Sequence, residues 1–291
     1  MRSIVHPGIP DLQRLIAIPS RMRPIQAVSS TGLTLLDTLV EIADQFQVKS
    51  GAFRLNGGAF TTFSYVMPAL STSPEHAVYF SQTYAVQGEV ELETASVTFG
   101  QREGDPWLHC HAVWIEPGGR RHCGHLLPDQ VRVAKPMSVT GVGLIDAVFS
   151  VTPDAETHFS LFQPFAITPN TEVESHLADE LHESYALRLA PNEDISLALE
   201  QFCFSRGIKN AVIVGGVGST VGAVFQDGSV VEPFVTELLI RSGRIHTTMT
   251  EHPRAELDIA MVDYQGGISE GRLLAGANPV LVTVELVLCP S

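Results

Sequence analysis

The clearest pattern along the chain is a pair of segments in which apolar residues recur with helical spacing. Residues 32–42 and 192–202 each begin with residues suited to an N-cap, and they align at a constant offset of 160. This spacing predicts two amphipathic helices that bury one face under a sheet. The side chains expected to point inward are Leu35, Leu36, Leu39 and Ile42 in the first helix and Ile195, Leu199 and Phe202 in the second.

The same offset continues beyond the helices. Residues 48–53 superpose on residues 208–213 as apolar runs typical of buried strands, and Gly58 superposes on Gly218. Further along, the offset falls to 148 and then to 147, where residues 124–127 superpose on 271–274. Because insertions in loops cost little, a repeat tolerates such changes. The pattern therefore predicts two tandem copies of one domain.

The predicted division is an N-terminal extension (residues 1–22), a first domain (23–165), a linker (166–183) and a second domain (184–291). The linker begins with breaker residues and continues into the acidic residues 172–183, for which a short surface helix is one interpretation. We interpret the histidines around this linker as ordinary surface or packing residues; they are His158, His176 and His182.

Strand-like alternation marks residues 108–115, which are followed by a Glu-Pro-Gly-Gly turn and a second short strand at 120–127. This combination predicts a β-hairpin. Residues two apart in a strand share a face, so His109 and His111 should project together.

The loop length sets which side chains of the second strand join them. With a three-residue loop closed by a glycine bulge, His125 lies opposite His111, where cross-strand Cβ atoms are about 4.5–5.5 Å apart. His122 then faces the other way, together with Cys110. A loop of two or four residues would instead turn His125 away. In the predicted register, three imidazoles could share one transition-metal ion.

The second copy offers an internal comparison for these histidines. At the offsets above, His109, His111 and His125 align with Leu257, Ile259 and Arg272. If aliphatic residues can pack the same hairpin, packing alone does not require histidines. The comparison favours metal ligation in the first copy, with a hydrogen-bonded polar cluster as the alternative.

Composition and charge narrow the class of protein. Apolar residues make up 44% of the chain, and the formal net charge is −14, which argues against broad contact with nucleic acid or anionic membranes. We find no apolar run near the roughly 18 residues of a membrane span and no signal-peptide core in the first residues. The four cysteines lack framework spacing, which favours a reducing cytoplasm; they are Cys110, Cys123, Cys203 and Cys289.

The motif Leu-His-Cys-His-Ala followed by Gly-His-Leu, downstream of a helix, a strand and a Gly-Gly-Ala turn, resembles the PPC (plants and prokaryotes conserved) domain, a family of unknown function. The resemblance covers both halves, and the second is similar to histidine-free plant versions attached to AT-hook DNA-binding segments. It implies an α/β (α+β) fold with a mostly antiparallel sheet flanked by helices, and assembly as a trimer. It also implies a metal site onto which His109, His111 and His125 map one for one. Cys123 departs from the family's usual glycine; we interpret it as a small buried residue, with a soft ligand near the site as the alternative.

Three neutral imidazoles leave one coordination position open, as in catalytic zinc sites. A metal held in this way can polarise a ligand or lower the pKa of bound water. Zinc is the metal we expect, although histidine also suits copper, nickel and iron. Whether the protein is an enzyme stays open, because no catalytic residue can be assigned. The nearest acidic residues in sequence, Glu93, Asp105 and Glu116, cannot be placed beside the metal; Trp107 and Trp114 could line a pocket or pack a core or interface.

Three classes of function follow from the sequence. The first is a metal-binding domain with small-molecule binding or metal-dependent catalysis in the first copy. The second is a DNA-associated regulatory module, and the third an oligomeric scaffold. Direct nucleic-acid binding is disfavoured by the charge and by the lack of a Gly-Arg-Pro AT-hook core. The glycine-rich residues 212–222 resemble a dinucleotide-binding turn, but a helix precedes their strand, and we interpret the glycines as permitting close packing.

Overall fold

The structure, a computed structural model, describes residues 2–167, 182–247 and 252–291. The helices are α1 (Leu35–Gln45) and α2 (Ile195–Arg206), with a short 3-10 helix at Pro128–Gln130. The strands are β1 (Leu15–Val28), β2 (Ser50–Asn56), β3 (Ala59–Val66), β4 (Pro68–Leu70), β5 (Val78–Phe80), β6 (Tyr84–Val86), β7 (Val90–Arg102), β8 (Asp105–Ile115), β9 (Arg121–Leu126), β10 (Arg132–Lys135), β11 (Ser138–Leu144), β12 (Ala147–Pro153), β13 (Ser160–Ala166), β14 (His182–Leu189), β15 (Ala211–Val224), β16 (Val230–Thr247), β17 (Pro253–Asp263), β18 (Ile268–Arg272) and β19 (Val280–Pro290). Among the described strand pairings only β7 with β12 is parallel, so the predicted mostly antiparallel α+β fold is confirmed.

The two predicted helices form where the sequence placed them. Thr34 and Asp194 cap them by accepting hydrogen bonds from the backbone N–H groups of Asp37 and Leu197. Each helix covers one hydrophobic core, and six of the seven predicted inward side chains are buried while Leu36 is partly buried. Residues 212–222, the glycine-rich stretch, lie within β15 and so form no nucleotide-binding turn.

Strand β1 joins the two halves into one sheet. Its first half, Leu15 to Met22, pairs with β14, and its second half, Met22 to Val28, pairs with β11. Residues 15–22 of the expected N-terminal extension therefore belong to a strand of the sheet. The sequence pattern did not predict strand β1, because Pro19 and Pro24 interrupt the alternation typical of a strand.

A buried ion pair also connects the halves. Arg188 on β14 donates to Asp154, which follows β12, at 2.8 Å, and both side chains are almost completely buried. Asp154 accepts two further hydrogen bonds from Thr157, so its lone pairs are satisfied.

The hairpin of β8 and β9 has the register that the sequence predicts. His111 lies opposite His125, and Val113 lies opposite Cys123. The backbone N–H of Glu116 donates to the carbonyl of Arg120, which closes the three-residue loop.

The second hairpin corrects the internal comparison made from the sequence. Ala112 pairs with Gly124 in the first hairpin, and Ile259 pairs with Gly271 in the second, so the offset is 147 along both strands. Ile259 belongs to the core beneath α2, as Ala112 belongs to the core beneath α1. The alignment at 148 was wrong by one residue, which exchanges the two faces of a strand.

At the correct offset the counterparts of the three histidines are charged residues on the outer face: Glu256, Asp258 and Arg272. They are tied into ion pairs, with Arg244 at 2.6 Å from Glu256 and Arg241 at 2.5 Å from Asp258. The second copy therefore gives no example of the histidine face packed by aliphatic residues.

The remaining sequence expectations concern the linker. Residues 172–181, including His176, lie outside the described residues, while His182 begins β14 and is exposed. The Nδ1 atom of the exposed His158 is hydrogen-bonded to the carbonyl of Glu75. Within the described parts of the chain, no helix has the length and apolarity to cross a membrane.

Candidate metal centre

The structure brings His109, His111 and His125 together on the face of the hairpin that meets the second domain. His109 Nε2 lies 3.0 Å from His111 Nε2, which lies 3.3 Å from His125 Nδ1. The three ligand atoms lie within 4.8 Å of one another. Zinc bonds of 2.0–2.1 Å at tetrahedral angles place ligand nitrogens about 3.3 Å apart, so the cluster has nearly the spacing of a metal site.

The other nitrogens of two rings are already engaged. His109 Nδ1 lies 2.8 Å from the carboxylate of Glu285, and His111 Nδ1 lies 2.8 Å from the carbonyl of Leu238. Both partners are acceptors, so each Nδ1 carries a hydrogen and the neutral rings present Nε2 lone pairs to each other. This arrangement needs either a proton on His109 or a cation between the rings. Outer acceptors of this kind are typical of metal-ligating histidines.

Burial and mutual repulsion favour the neutral rings of His111 and His125. Burial lowers the pKa of His111 well below its ordinary value, and positive charge on His109 or His125 would lower it further. Burial also lowers the pKa of His125, with contributions from His109 and Arg102. Neutral imidazole is the form that binds metal.

A cavity of about 280 Å³ opens beside the histidines, between the two halves of the chain. Aromatic side chains of the first half form much of its wall, and Phe80 packs its ring 5.5 Å from the ring of His125. Trp107 lines this cavity, whereas Trp114 is fully buried in the core beneath α1. The two tryptophans therefore have different surroundings.

The acidic side chains of the cavity come from the second half, not from the hairpin. Glu237 on β16 and Glu285 on β19 line it, whereas Glu93, Asp105 and Glu116 do not. The sequence did not reveal this pair because the domain packing, not local spacing, brings them to the histidines. The available signal was an isolated glutamate within each apolar strand, which is unusual for a buried position.

Glu237 is held in an environment that disfavours charge. Burial raises its pKa to about 8, and its Oε2 is buried without a hydrogen-bond partner among the described residues. Burial thus favours the protonated form of Glu237, and in that form its hydroxyl can donate a hydrogen bond into the cavity.

The two hairpin cysteines and His122 are packed against other side chains and do not join the three histidines. Cys123 belongs to an apolar cluster with Val113 and Leu239, and it is not among the converging ligand atoms. Cys110 lies in the core beneath α1, while His122 stacks on Trp114 on the opposite face from His125. Burial raises the pKa of both thiols, so the interpretation of Cys123 as a small buried residue agrees with its surroundings.

Both halves of the chain match one known domain family. The profile of the Plants and Prokaryotes Conserved (PCC) domain, here PPC, matches residues 17–142 and 178–291. The chain belongs to this family. A search of curated proteins found no match.

Solved structures similar to this PPC chain cover about half of it. A PPC protein from Pyrococcus horikoshii is 14% identical, with 52% of this chain and 97% of that chain covered and a TM-score of 0.41. A metal-containing protein from Archaeoglobus fulgidus is also 14% identical, with 48% and 93% covered and a TM-score of 0.39.

The contact between the two PPC domains leads to a first prediction. If the three histidines hold a metal ion, replacing Glu285 with glutamine should weaken its binding by about 10–100-fold, the usual effect of losing an outer partner of a ligand. Glutamine keeps the size of the side chain but loses the charge that holds the hydrogen of His109 on Nδ1. Competition with a coloured chelator measures the change, and Glu93→Gln, outside the cavity, is the control. Equal affinities in both variants would contradict this role for Glu285.

Proposed function

We propose that this tandem PPC protein binds one transition-metal ion, zinc in the first place, through His109 Nε2, His111 Nε2 and His125 Nδ1. The observation that carries the proposal is the convergence of these atoms while the opposite nitrogens of His109 and His111 face acceptors. A polar cluster without metal is the alternative, and it would need the proton on His109, beside Glu285, because burial disfavours charge on His111 and His125.

We further propose that the cavity receives a small molecule beside the metal. Three protein ligands leave a coordination position free, and the metal would supply Lewis acidity to a group bound there. Glu285 and the Leu238 carbonyl orient the ligands, and the aromatic walls limit access of water. Glu237 can hold or donate a proton in this cavity.

Metal binding by the full chain, prepared without an affinity tag, tests the proposal. After exposure to zinc and extensive dialysis, elemental analysis should find about one zinc per chain. Cobalt substitution should give the intense visible absorption of a tetrahedral site, and addition of zinc should remove it. A protein that binds neither metal would overturn the proposal and favour the oligomeric scaffold or the DNA-associated module.

Two further properties belong to this proposal. Self-association as a trimer would give a molecular mass in solution three times that of the 31.5 kDa chain, and light scattering that finds a monomer would exclude it. A cytoplasmic location agrees with the four free, buried cysteines, and fractionation of expressing cells tests it.

A further inference from the structure

The charges around the cavity indicate what kind of molecule it could take. Apart from the three histidines, the ionisable carboxylate and guanidinium groups in its described lining are Arg102, Glu237 and Glu285. The rest of the lining is largely apolar, including five aromatic side chains: Tyr79, Phe80, Trp107, Phe159 and Phe162. A ligand therefore meets one cation and an extended apolar wall.

Arg102 lies at the exposed rim of this cavity. Its guanidinium stacks over the ring of Trp107, 4.4 Å from the ring centre, which fixes the side chain against the wall. Asp105 is opposite Arg102 in the strand register, yet no ion pair of Arg102 is found in the described residues. The arginine thus keeps its hydrogen-bond donors available.

The two glutamates do not cancel this positive charge. Glu285 is engaged with His109, and one carboxylate against a divalent ion leaves a positive surplus. Burial disfavours charge on Glu237 by raising its pKa to about 8, and even as a carboxylate it would leave a divalent ion and Arg102 in excess of the two glutamates. With metal bound, the cavity would carry excess positive charge in an apolar setting, where attraction to an anion is strong.

The number of charged donors distinguishes between classes of anion. The Thr236 hydroxyl donates to the Thr220 carbonyl, whereas the Ser219 hydroxyl accepts the N–H of Val282 and keeps its own hydrogen as a donor. Arg102 is the single guanidinium in the described lining, and a phosphate dianion usually requires several charged donors. A single carboxylate needs only one bidentate partner and one metal position.

We propose that the cavity binds a small monocarboxylate with a flat apolar body, its carboxylate between Arg102 and the open metal position and its body against Phe80 and Phe159. The inference rests on the proposed function for its metal contact, whereas the Arg102 contact does not depend on the metal. The rings of Phe80 and Phe159 lie 5.8 Å apart with their planes nearly perpendicular, so they pack edge to face and form one continuous apolar wall for the body of the ligand.

Benzoate is the probe for this proposal, with benzamide as its uncharged equivalent and inorganic phosphate as the competing anion. Calorimetric titration of the zinc-loaded full chain should show that benzoate binds at least about tenfold more tightly than either, the difference expected for a charge-assisted contact. Arg102→Gln should weaken benzoate by about tenfold with unchanged zinc content. Arg206→Gln is the matched control, because Arg206 is also an exposed arginine stacked on aromatic rings but lies outside the cavity.

The outcomes separate the two proposals. Zinc-loaded protein that binds benzamide or phosphate as tightly as benzoate, or that binds none of them, overturns the monocarboxylate proposal and leaves the metal site. Benzoate affinity unchanged in Arg102→Gln also overturns it. Protein that takes up no metal but binds benzoate through Arg102 overturns the metal site and supports the anion site.

Discussion

Alanine in place of His109, His111 or His125 is expected to eliminate metal binding. Each variant removes one of the three proposed ligands, whose nitrogens lie 3.0 and 3.3 Å apart, and two imidazoles with an open cavity would not complete the coordination. The loss should exceed the about 10–100-fold expected for an outer partner such as Glu285. Zinc content after dialysis and chelator competition measure the effect.

His122→Ala is the matched control for these three variants. His122 lies on the same strand as His125 but on the opposite face, stacked on Trp114, so its loss should leave the zinc content unchanged. His109 and His125 are less buried than His111, and their variants should keep the thermal melting behaviour of the metal-free parent. Full zinc content in folded His109→Ala or His125→Ala would exclude the three-histidine site.

Breaking the ion pair between the two domains is the second change for which we expect a large effect, here on the free energy of unfolding. Arg188→Met should lower the free energy of unfolding by about 3–5 kcal/mol, because it leaves the charge of Asp154 buried without its partner. The double variant Asp154→Asn with Arg188→Met should recover part of this loss, since it removes both charges. Urea unfolding of the parent, the single variants and the double variant gives the coupling between them.

This ion pair also makes the free energy of unfolding depend on pH, with stability lost in acid. Burial opposes the charged form of Asp154, but the Arg188 charge and the Thr157 hydrogen bonds outweigh it and lower the pKa of the carboxyl. The stabilisation is therefore complete above the ordinary value of about 3.9 and is lost as the pH falls through the lower folded pKa. The difference between parent and Arg188→Met should shrink in acid; an unchanged difference would show that Asp154 is not responsible.

The features that the sequence predicted well are those that local chemistry determines. The helices follow from apolar spacing and from caps at Thr34 and Asp194. The register of the first hairpin follows from its three-residue loop, so with that loop length the sequence predicts the observed pairing of His111 with His125. Both rest on contacts within a few residues.

The features that the sequence did not predict depend on contacts between distant segments. Glu237 and Glu285 reach the histidines only through the packing of one domain on the other. In the second hairpin, glycine repeats fitted an alignment shifted by one residue, and the strand alternation turned that small error into an exchange of faces for Leu257 and Ile259. Side chains alternate between the two faces at every residue, so a shift of one residue in the alignment assigns each of them to the wrong face.

The contact of His109 with Glu285 makes one site depend on both copies of the domain. One copy supplies the nitrogens and the other supplies the acceptor behind them, so each copy is constrained on a different face. The hairpin charges of the second copy pair among themselves, as Arg244 does with Glu256, whereas its inward Glu285 contacts a histidine of the first copy. The two copies thus supply different parts of one site, and cutting the chain between them would leave the histidines without Glu285.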